Sequence, residues 1–402
     1  MNKHISETNE IPVLGSYDVV VVGGGVAGVG AALAARRSGR SVLLIEKSVM
    51  LGGLATLGLV VIYLPLCDGN GRKVIGGIAE ELLHASIKYG YDTLPDAWRD
   101  GPARSDCPHR YRTDFSAAAF VFALDELMET ERVDLMLDTV FCRPVMDDGV
   151  CRAVVVENKS GRAAYEARVV VDASGDCDVM QRAGAECVDG TSRLSYWTCM
   201  TNLDRMKAAV EHNDIRKGIH LSMKGGDNPE QIADPGKRHT GISAQKVTDF
   251  VLAGRRIARE FLVDPANRQT ILTVPGMPQF QRTQRIRGMY ELVAEDVGKR
   301  FDDSIGCTGD WRKRGPVFEI PYRTLLVDGL QNIVTAGRTI ASHADAWHVT
   351  RVIPPAAMTG QAAGAAAALA VEQDVALQDV PVPELQGRLA QTGVVIHAAD
   401  GE

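Results

Sequence analysis

The stretch that most constrains the fold is residues 17–47, YDVVVVGGGVAGVGAALAARRSGRSVLLIEK. Val19, Val20, Val21 and Val22 form a β-branched run of the kind buried on both faces in a parallel sheet. Gly23-Gly24-Gly25-Val26-Ala27-Gly28 then fits G-x-G-x-x-G. In this motif the first glycine turns the chain, the second lets backbone N–H groups approach a pyrophosphate, and the third lets a helix pack closely on the strand. Ala27 to Arg37 supplies that helix, whose N-terminus presents unpaired N–H groups and a positive dipole end. Gly39 stops it and Ser41–Ile45 is the next strand. Glu46 follows at the distance where a carboxylate accepts hydrogen bonds from ribose hydroxyls, with Lys47 beside it. Strand, turn, helix, strand and acid agree on a dinucleotide-binding βαβ unit. The architecture implied is α/β, a Rossmann-like three-layer domain binding FAD or NAD(P), with an inserted α+β substrate domain.

The chain has 402 residues, enough for two or three domains and a large core. A net charge of −7 argues against an extended nucleic-acid surface. No run of about 18 apolar residues suggests a membrane span. Residues 1–16 are polar, without a hydrophobic signal core, and read as a flexible leader; the location expected is cytoplasmic. The eight cysteines form no C-x-x-C, so iron–sulfur, structural-zinc and dithiol motifs lack support, and no metal is expected.

The remaining chain divides by composition. Residues 17–189 and 326–375 read as two parts of the cofactor domain, 190–325 as the substrate or cap domain, and 376–402 as a surface tail. Apolar spacing predicts a helix over 76–88, and Asp114 is placed to N-cap another that runs to about Glu131. Strands follow at 133–145, 150–158 and 163–172, with Asp147-Asp148-Gly149 as the hairpin signal. The third strand runs into Ala173-Ser174-Gly175-Asp176, a small-residue turn where a backbone can approach a ligand. An amphipathic helix is expected from Ser243 to Leu262 and an Ala/Gly-rich one from Pro354 to Glu372.

Three separated motifs, at 23–56, 169–176 and 333–364, together resemble the FAD-binding fold of glutathione-reductase-type flavoproteins. More closely, the chain resembles a bacterial FAD-dependent oxidoreductase family. That family carries LGG-x-A-T (here Leu51–Thr56), an R-x-T-R-R-I-x-G-like stretch (Arg282–Gly288, with Gln284 at one arginine position) and A-G-R…H…R-V-x-P…G-Q-A-A-G (Ala336–Arg338, His343, Arg351–Pro354, Gly360–Gly364). The resemblance implies noncovalent FAD lying extended, with adenosine at Glu46 and pyrophosphate at Gly23–Gly28. Gly52, Gly53, Ala55 and Thr56 would run beside the flavin end, and backbone near Val140 would touch the adenine. Gly337-Arg338 would sit at the pyrophosphate and ribitol. The wider superfamily usually has Gly-Asp there; Arg338 cannot accept a ribitol hydrogen bond but can pair with a phosphate. The Pro354 helix would point its positive end at the flavin pyrimidine. No second G-x-G-x-x-G appears, so NAD(P)H, if used, binds transiently.

Hydride transfer is the flavin's chemistry, and the protein must place the substrate and move a proton. His343, at a family position, and His348 are the acid/base candidates, against a supporting hydrogen-bonding role for either. Arg351 is placed to stabilise reduced flavin or bind a substrate carboxylate, against a structural salt bridge. Arg285 and Arg287 are candidates to clamp an anionic substrate, or equally to form an interdomain ion pair. Asp345 can orient a histidine or stand exposed, and Cys67 is better read as a buried structural thiol than as a flavin ligand. The leading expectation is an FAD-dependent oxidoreductase moving a hydride between flavin N5 and a small polar or anionic metabolite. The alternatives are a flavin-dependent tRNA-modifying relative and a non-catalytic flavin electron carrier or sensor. The electron partner is unassigned and self-association stays open.

Overall fold

A computed structural model describes residue 5 and residues 7–99, 107–225, 237–263 and 268–398. The first residues of the expected leader and the end of the expected tail lie outside the described residues. The elements that position the site are β1 (Val13–Val22), α1 (Val26–Arg37), β2 (Val42–Ile45), α2 (Ile78–Ile87), α3 (Ala117–Glu131), β3 (Asp134–Met136), β4 (Val140–Asp147), β5 (Val150–Asn158) and β6 (Gly161–Asp172). They continue with α4 (Ala244–Val263), β7 (Ile333–Thr335), α5 (Ala344–Thr350) and α6 (Ile353–Gln373).

The main sheet has the order β3-β2-β1-β6-β5-β4, with β7 added to β6. β6 belongs to two structures at once. One edge follows β1 in parallel from Ala164 to Asp172; the other pairs antiparallel with β5 up to Glu166, then parallel with β7 from Val170. The valines of β1 divide by the two-residue period of a strand. Val19 and Val21 face a core shared with α1 and α6, whereas Val20 and Val22 face Phe141, Val154 and Tyr165 of the antiparallel strands. Helices, parallel sheet and antiparallel meander make three layers, the Rossmann-like α/β architecture of the FAD/NAD(P)-binding flavoproteins. The β4–β5 turn has φ of 44° at Asp148 and 75° at Gly149, the left-handed pair that two-residue hairpins require.

α6 crosses α1 with almost no side chain between them. A Cβ added to Gly360 would lie 2.1 Å from the Ala27 carbonyl oxygen, one on Gly364 2.2 Å from that of Ala31, and one on Gly30 2.7 Å from that of Ala357. Glycine is therefore required on both helices for this approach. The Gln361 side chain, on the same helix, accepts from the Ile78 N–H at 2.8 Å and so caps α2.

The structure corrects several expectations. α3 is N-capped by Ser116, which accepts from the Ala119 N–H; Asp114 instead pairs with Ile62 in a short strand. Part of the leader, Val13–Ser16, is already strand, because it extends the pairing of β1 with β6. The 376–402 stretch is no surface tail where described: Leu377, Leu385, Leu389, Val394 and Ile396 are buried in the main core. The 190–325 stretch divides. Strands Ser195–Thr201, His220–Gly225 and Thr270–Thr273 form a separate antiparallel sheet, and Phe250 of α4 stacks on Phe280 at 4.0 Å in a small core of its own. The buried hairpin Ser304–Gly309 and Val317–Pro321 instead contributes Ile305, Phe318 and Ile320 to the core around α6. α5 had no signal beyond the histidine motif.

Candidate functional site: a glycine-walled cleft

A cleft of about 330 Å³ opens where the C-terminal ends of β1, β2, β6 and β7 meet α1 and α6. This is the place at which open α/β sheets bind ligands. Gly23, Gly25, Val26 and Ala27 line it. Gly25 N-caps α1 with no side-chain hydrogen bond, and the first intrahelical donor is Val29 N–H to the Gly25 carbonyl. The N–H groups of Val26, Ala27 and Gly28 thus precede the ladder, as an anion site requires. The glycines of the motif serve different ends. Gly23 (φ 105°) has Ala173 backbone 2.4 Å from where a Cβ would stand, and Gly28 has the Gly23 oxygen at 1.8 Å. At Gly25 a Cβ would meet nothing within 4 Å. Gly25 keeps open a space that no protein atom fills, which fits a cofactor running past it.

Gly52 donates its N–H to the Gly24 carbonyl at 2.8 Å, and a Cβ on Gly53 would stand 3.2 Å from Gly25 Cα. The second glycine pair thereby forms the facing wall, with Leu54, Ala55 and Leu57. Thr56 does not line the cleft; its buried hydroxyl donates to the Leu51 carbonyl at 2.5 Å and closes the turn from beneath.

Glu46, Lys47 and Ser48 line another part of the wall. The Glu46 carboxylate is buried and accepts from the Gly24 N–H at 2.7 Å and the Ser48 N–H at 2.8 Å, one on each oxygen. Both oxygens keep acceptor capacity for further donors such as ribose hydroxyls. Val140 is half-exposed and outside the lining, although Thr139 N–H donates to the Glu46 carbonyl at 3.1 Å and brings Val140 near this end.

Ala173, Ser174 and Gly175 complete the floor. Buried Asp172 fixes their turn by accepting from the Ser174 N–H and hydroxyl and from the Val179 and Met180 N–H groups. Asp176 lies outside the lining and pairs with Arg338 at 2.8 Å. Gly337 and Arg338 do line the cleft, but the expected phosphate role of Arg338 meets a competing geometry. Its guanidinium already donates to the Gly175 and Phe280 carbonyls as well as to Asp176. It ties the β6 turn to the inserted region.

Arg351, Ile353 and Ala356 bring the α5–α6 junction to the cleft. Pro354 is buried behind them, and because Pro354 and Pro355 have no N–H, the first turn of α6 offers the dipole but few donors. The two histidines do not reach the cleft. His343 is exposed at the N-cap of α5, its N–H bound to the Leu292 carbonyl. His348 is half-buried, and burial followed by the charges of Arg282, Arg351 and Arg312 pushes its pKa down to about 4. It is neutral at physiological pH and a weak base.

The proposed clamp closes on the protein itself. Arg285, only 2% exposed, pairs with Glu291 at 2.7 Å, and Arg287 pairs with Glu186 at 2.6 Å and approaches Glu291 at 3.8 Å. Asp345 is held by Arg312 at 2.6 and 2.8 Å rather than by a histidine. Cys67 is fully buried away from the cleft and accepts from the Tyr111 N–H. Sequence reasoning missed Gly276-Met277-Pro278, a segment of the inserted region that lines the cleft and is pinned by Gly276 N–H to the Leu57 carbonyl at 2.9 Å. Its signal was the Pro-Gly-Met-Pro run, a turn signature set among few others. Among the described residues no group of three or more His, Cys, Asp or Glu can hold a metal, and no helix is long and apolar enough to cross a membrane.

Comparison with known proteins agrees with this geometry. The chain is 33% identical over 80 residues to the thioredoxin reductase of Ureaplasma parvum serovar 3, a stretch of 20% of this chain and 26% of that protein. Among solved structures, a geranylgeranyl bacteriochlorophyll reductase-like protein from Thermoplasma acidophilum superposes with a TM-score of 0.50 at 14% identity, covering 94% of this chain and 82% of that one. The p-nitrophenol 4-monooxygenase of Pseudomonas putida gives 0.48 at 14% identity over 94% and 84%. Residues 18–263 and 274–389 match the FAD-dependent oxidoreductase family. That match spans most of the chain, and with a cleft that fits FAD it makes this protein a member of the FAD-dependent oxidoreductase family.

Proposed function

We propose that the enzyme moves a hydride between flavin N5 and a small polar or anionic metabolite. The observation that carries this reading is the composition of the cleft wall. Backbone and glycine line the part around Gly23–Ala27 and Gly52–Gly53, whereas a side-chain cation, Arg351, and a segment from the inserted region, Gly276–Pro278, line another part. In this reading the N–H groups at the start of α1 hold the pyrophosphate and Glu46 holds the adenosine ribose. The flavin ring then lies toward Leu57, Gly276–Pro278 and Arg351. When bound, FAD supplies a ring that accepts or returns two electrons as hydride. The chain's own part is to orient the substrate, through the inserted segment, and to set the charge beside the ring, through Arg351 and the dipole of α6.

With neither histidine on the cleft wall, His343 and His348 take no direct part in proton transfer, and Arg285, bound to Glu291, supports the strand that carries it. Anaerobic titration of the purified holoenzyme with panels of hydroxy acids, amino acids and sugars, and with NAD(P)H, tests it. Bleaching of the visible flavin band by one metabolite class establishes a dehydrogenase. Bleaching by NAD(P)H alone makes it a reductase, and a flavin that no donor reduces overturns the reading.

A further inference from the structure

A second, smaller cavity adjoins the cofactor cleft on the side of the inserted region. It measures about 100 Å³ and is lined by Tyr196 of the strand Ser195–Thr201, by Phe250, Val251 and Arg255 of α4, and by the segment 275–279. Gly276, Met277 and Pro278 line this cavity and the cleft alike, so one stretch of chain divides the two spaces. That stretch is fixed from the cleft side. The Gly276 N–H donates to the Leu57 carbonyl at 2.9 Å, and a Cβ on Gly276 would stand 2.7 Å from Leu57 Cδ2. Met277 is the adaptable part of the divider, because an unbranched thioether side chain refits to whatever it packs against.

The walls of the cavity are held in place and largely apolar. Phe250 is buried and stacks on Phe280 at 4.0 Å. Tyr196 is buried beneath α4 at Gly254, where a Cβ would fall 2.5 Å from its ring. Gln279 commits its amide elsewhere: it accepts from the Trp197 N–H at 3.0 Å and donates to the Gly58 and Trp197 carbonyls at 2.7 and 3.2 Å. Its polar atoms therefore ask nothing of an occupant. Among the described residues that line the cavity, Arg255 is the one charged group, and it is exposed at the rim. It hydrogen-bonds the Tyr196 hydroxyl, a contact that orients the guanidinium and leaves it further N–H donors. An apolar pocket with a cation at its edge is complementary to an anion with an apolar body.

We propose that this cavity receives the aliphatic chain of a carboxylic-acid substrate, with Arg255 at its rim binding the carboxylate. This rests on the reading of the cleft as a flavin and substrate site, and it narrows the metabolite to short branched-chain acids. Size decides the chain. A cavity of about 150 Å³ holds a benzene ring, so one of about 100 Å³ fits a branched chain of roughly four carbons and rejects an aromatic one. The chain then rests on Met277 and Pro278, next to the cleft in which the flavin is proposed to lie. Arg255 matches the carboxylate with its planar fork of donors. Arg285 and Arg287, expected to clamp an anion, are bound to Glu291 and Glu186, and their role passes to an arginine that no sequence motif marks.

The test is calorimetric titration of the purified holoenzyme with 4-methylpentanoate, with 4-methylpentanamide, acetate and phenylacetate as comparisons. The expected result is binding of 4-methylpentanoate, roughly tenfold or more weaker binding of the amide for loss of a charge-assisted hydrogen bond, and at least as large a loss for acetate, which lacks the chain. Arg255→Gln should bring acid and amide to equal affinity. Val251→Phe fills the cavity and should remove binding while flavin content, read from visible absorbance, stays at the wild-type level. Val251→Ala enlarges the cavity and should shift preference toward phenylacetate, which keeps the test decisive if Val251→Phe does not fold. Saturation with 4-methylpentanoate should also shift the visible flavin band, and an unshifted band overturns the link to the substrate site. Failure of 4-methylpentanoate to bind, equal affinity for its amide in wild type, or no change in preference in Val251→Ala overturns the cavity. Any of these in protein of normal flavin content leaves the cofactor reading intact, whereas flavin-free protein, or a flavin that no donor reduces, refutes that reading on its own.

Discussion

At its N-terminus α1 meets open space, whereas along its side it meets the backbone of α6, and glycine stands at both contacts. Gly25 has no atom within 4 Å of a would-be Cβ, while Gly360 on α6 has the Ala27 carbonyl oxygen at 2.1 Å. One glycine leaves a volume free of protein, which in the proposed function the cofactor occupies; the other lets two protein backbones come close enough to exclude everything else. In that proposal the same residue type serves binding in one place and packing in the other, and substitution by alanine separates the two.

The largest effect is expected at Gly360. Alanine there gains about 1 kcal/mol of helix propensity, yet it forces apart two helices that touch through backbone, where nothing flexible can yield. A net loss of about 3 kcal/mol or more of stability is expected, read from the midpoint of urea unfolding. A variant as stable as wild type would mean that α1 and α6 can separate freely and would break the comparison. At Gly25 the backbone φ is −67°, open to any L-residue. Gly25→Ala is expected to leave stability in the flavin-free state within about 0.5 kcal/mol of wild type. It should weaken FAD retention by roughly a hundredfold, the cost of crowding a filled site by one methyl group. Retention is read from flavin content after dialysis, and unchanged content would show that the cofactor does not run past Gly25.

Glu46 sharpens the contrast because here the cleft depends on a side chain rather than on the lack of one. Glu46→Ala removes an acceptor held in place by the Gly24 and Ser48 N–H groups. Roughly tenfold weaker FAD binding is expected, as for loss of a charge-assisted hydrogen bond. FAD occupancy equal to wild type after exhaustive dialysis would remove Glu46 from ribose binding.

These residues also mark what could be read without coordinates. The Gly23–Gly28 turn and Glu46 were legible because local spacing along one βαβ unit fixes their geometry, and the α/β class follows from the same unit. Gly360 and Gly364 were visible as part of an Ala/Gly-rich helix suited to packing on a sheet, but nothing in the chain names α1 as the helix they meet. Arg285 and Arg287 misled because an arginine's partner depends on folding: Glu186 lies 101 positions from Arg287 on another segment, and Glu291, six positions after Arg285, lies outside the strand Gln284–Ile286 that carries it. His348 is similar, its character set first by burial and then by Arg282, 66 positions earlier in the chain, and by Arg351 one helical turn on. Side-chain chemistry assembled across the chain stays hidden for that reason, while backbone chemistry within one turn does not.

The α5 side of the molecule, which meets the cleft only through its C-cap Arg351, gives the smallest effect and a different kind of check. α5 carries no glycine, and its control over the site is electrostatic. The pKa of His348 lies near 4 in the folded protein, below the ordinary 6.5. In the unfolded chain the imidazole therefore binds a proton first as pH falls. Stability drawn from this residue is complete above about pH 6.5 and declines as pH drops toward 4. Half-burial leaves solvent to screen the arginine charges, so the loss between pH 7 and pH 5 is expected to be about 1 kcal/mol. His348→Gln cannot titrate and should lose that much less over the same interval, which paired urea unfolding curves at the two pH values measure. If both proteins lost equal stability, burial and the charges of Arg282 and Arg351 would not hold His348 neutral, and the contrast between α5 and the glycine wall would fail.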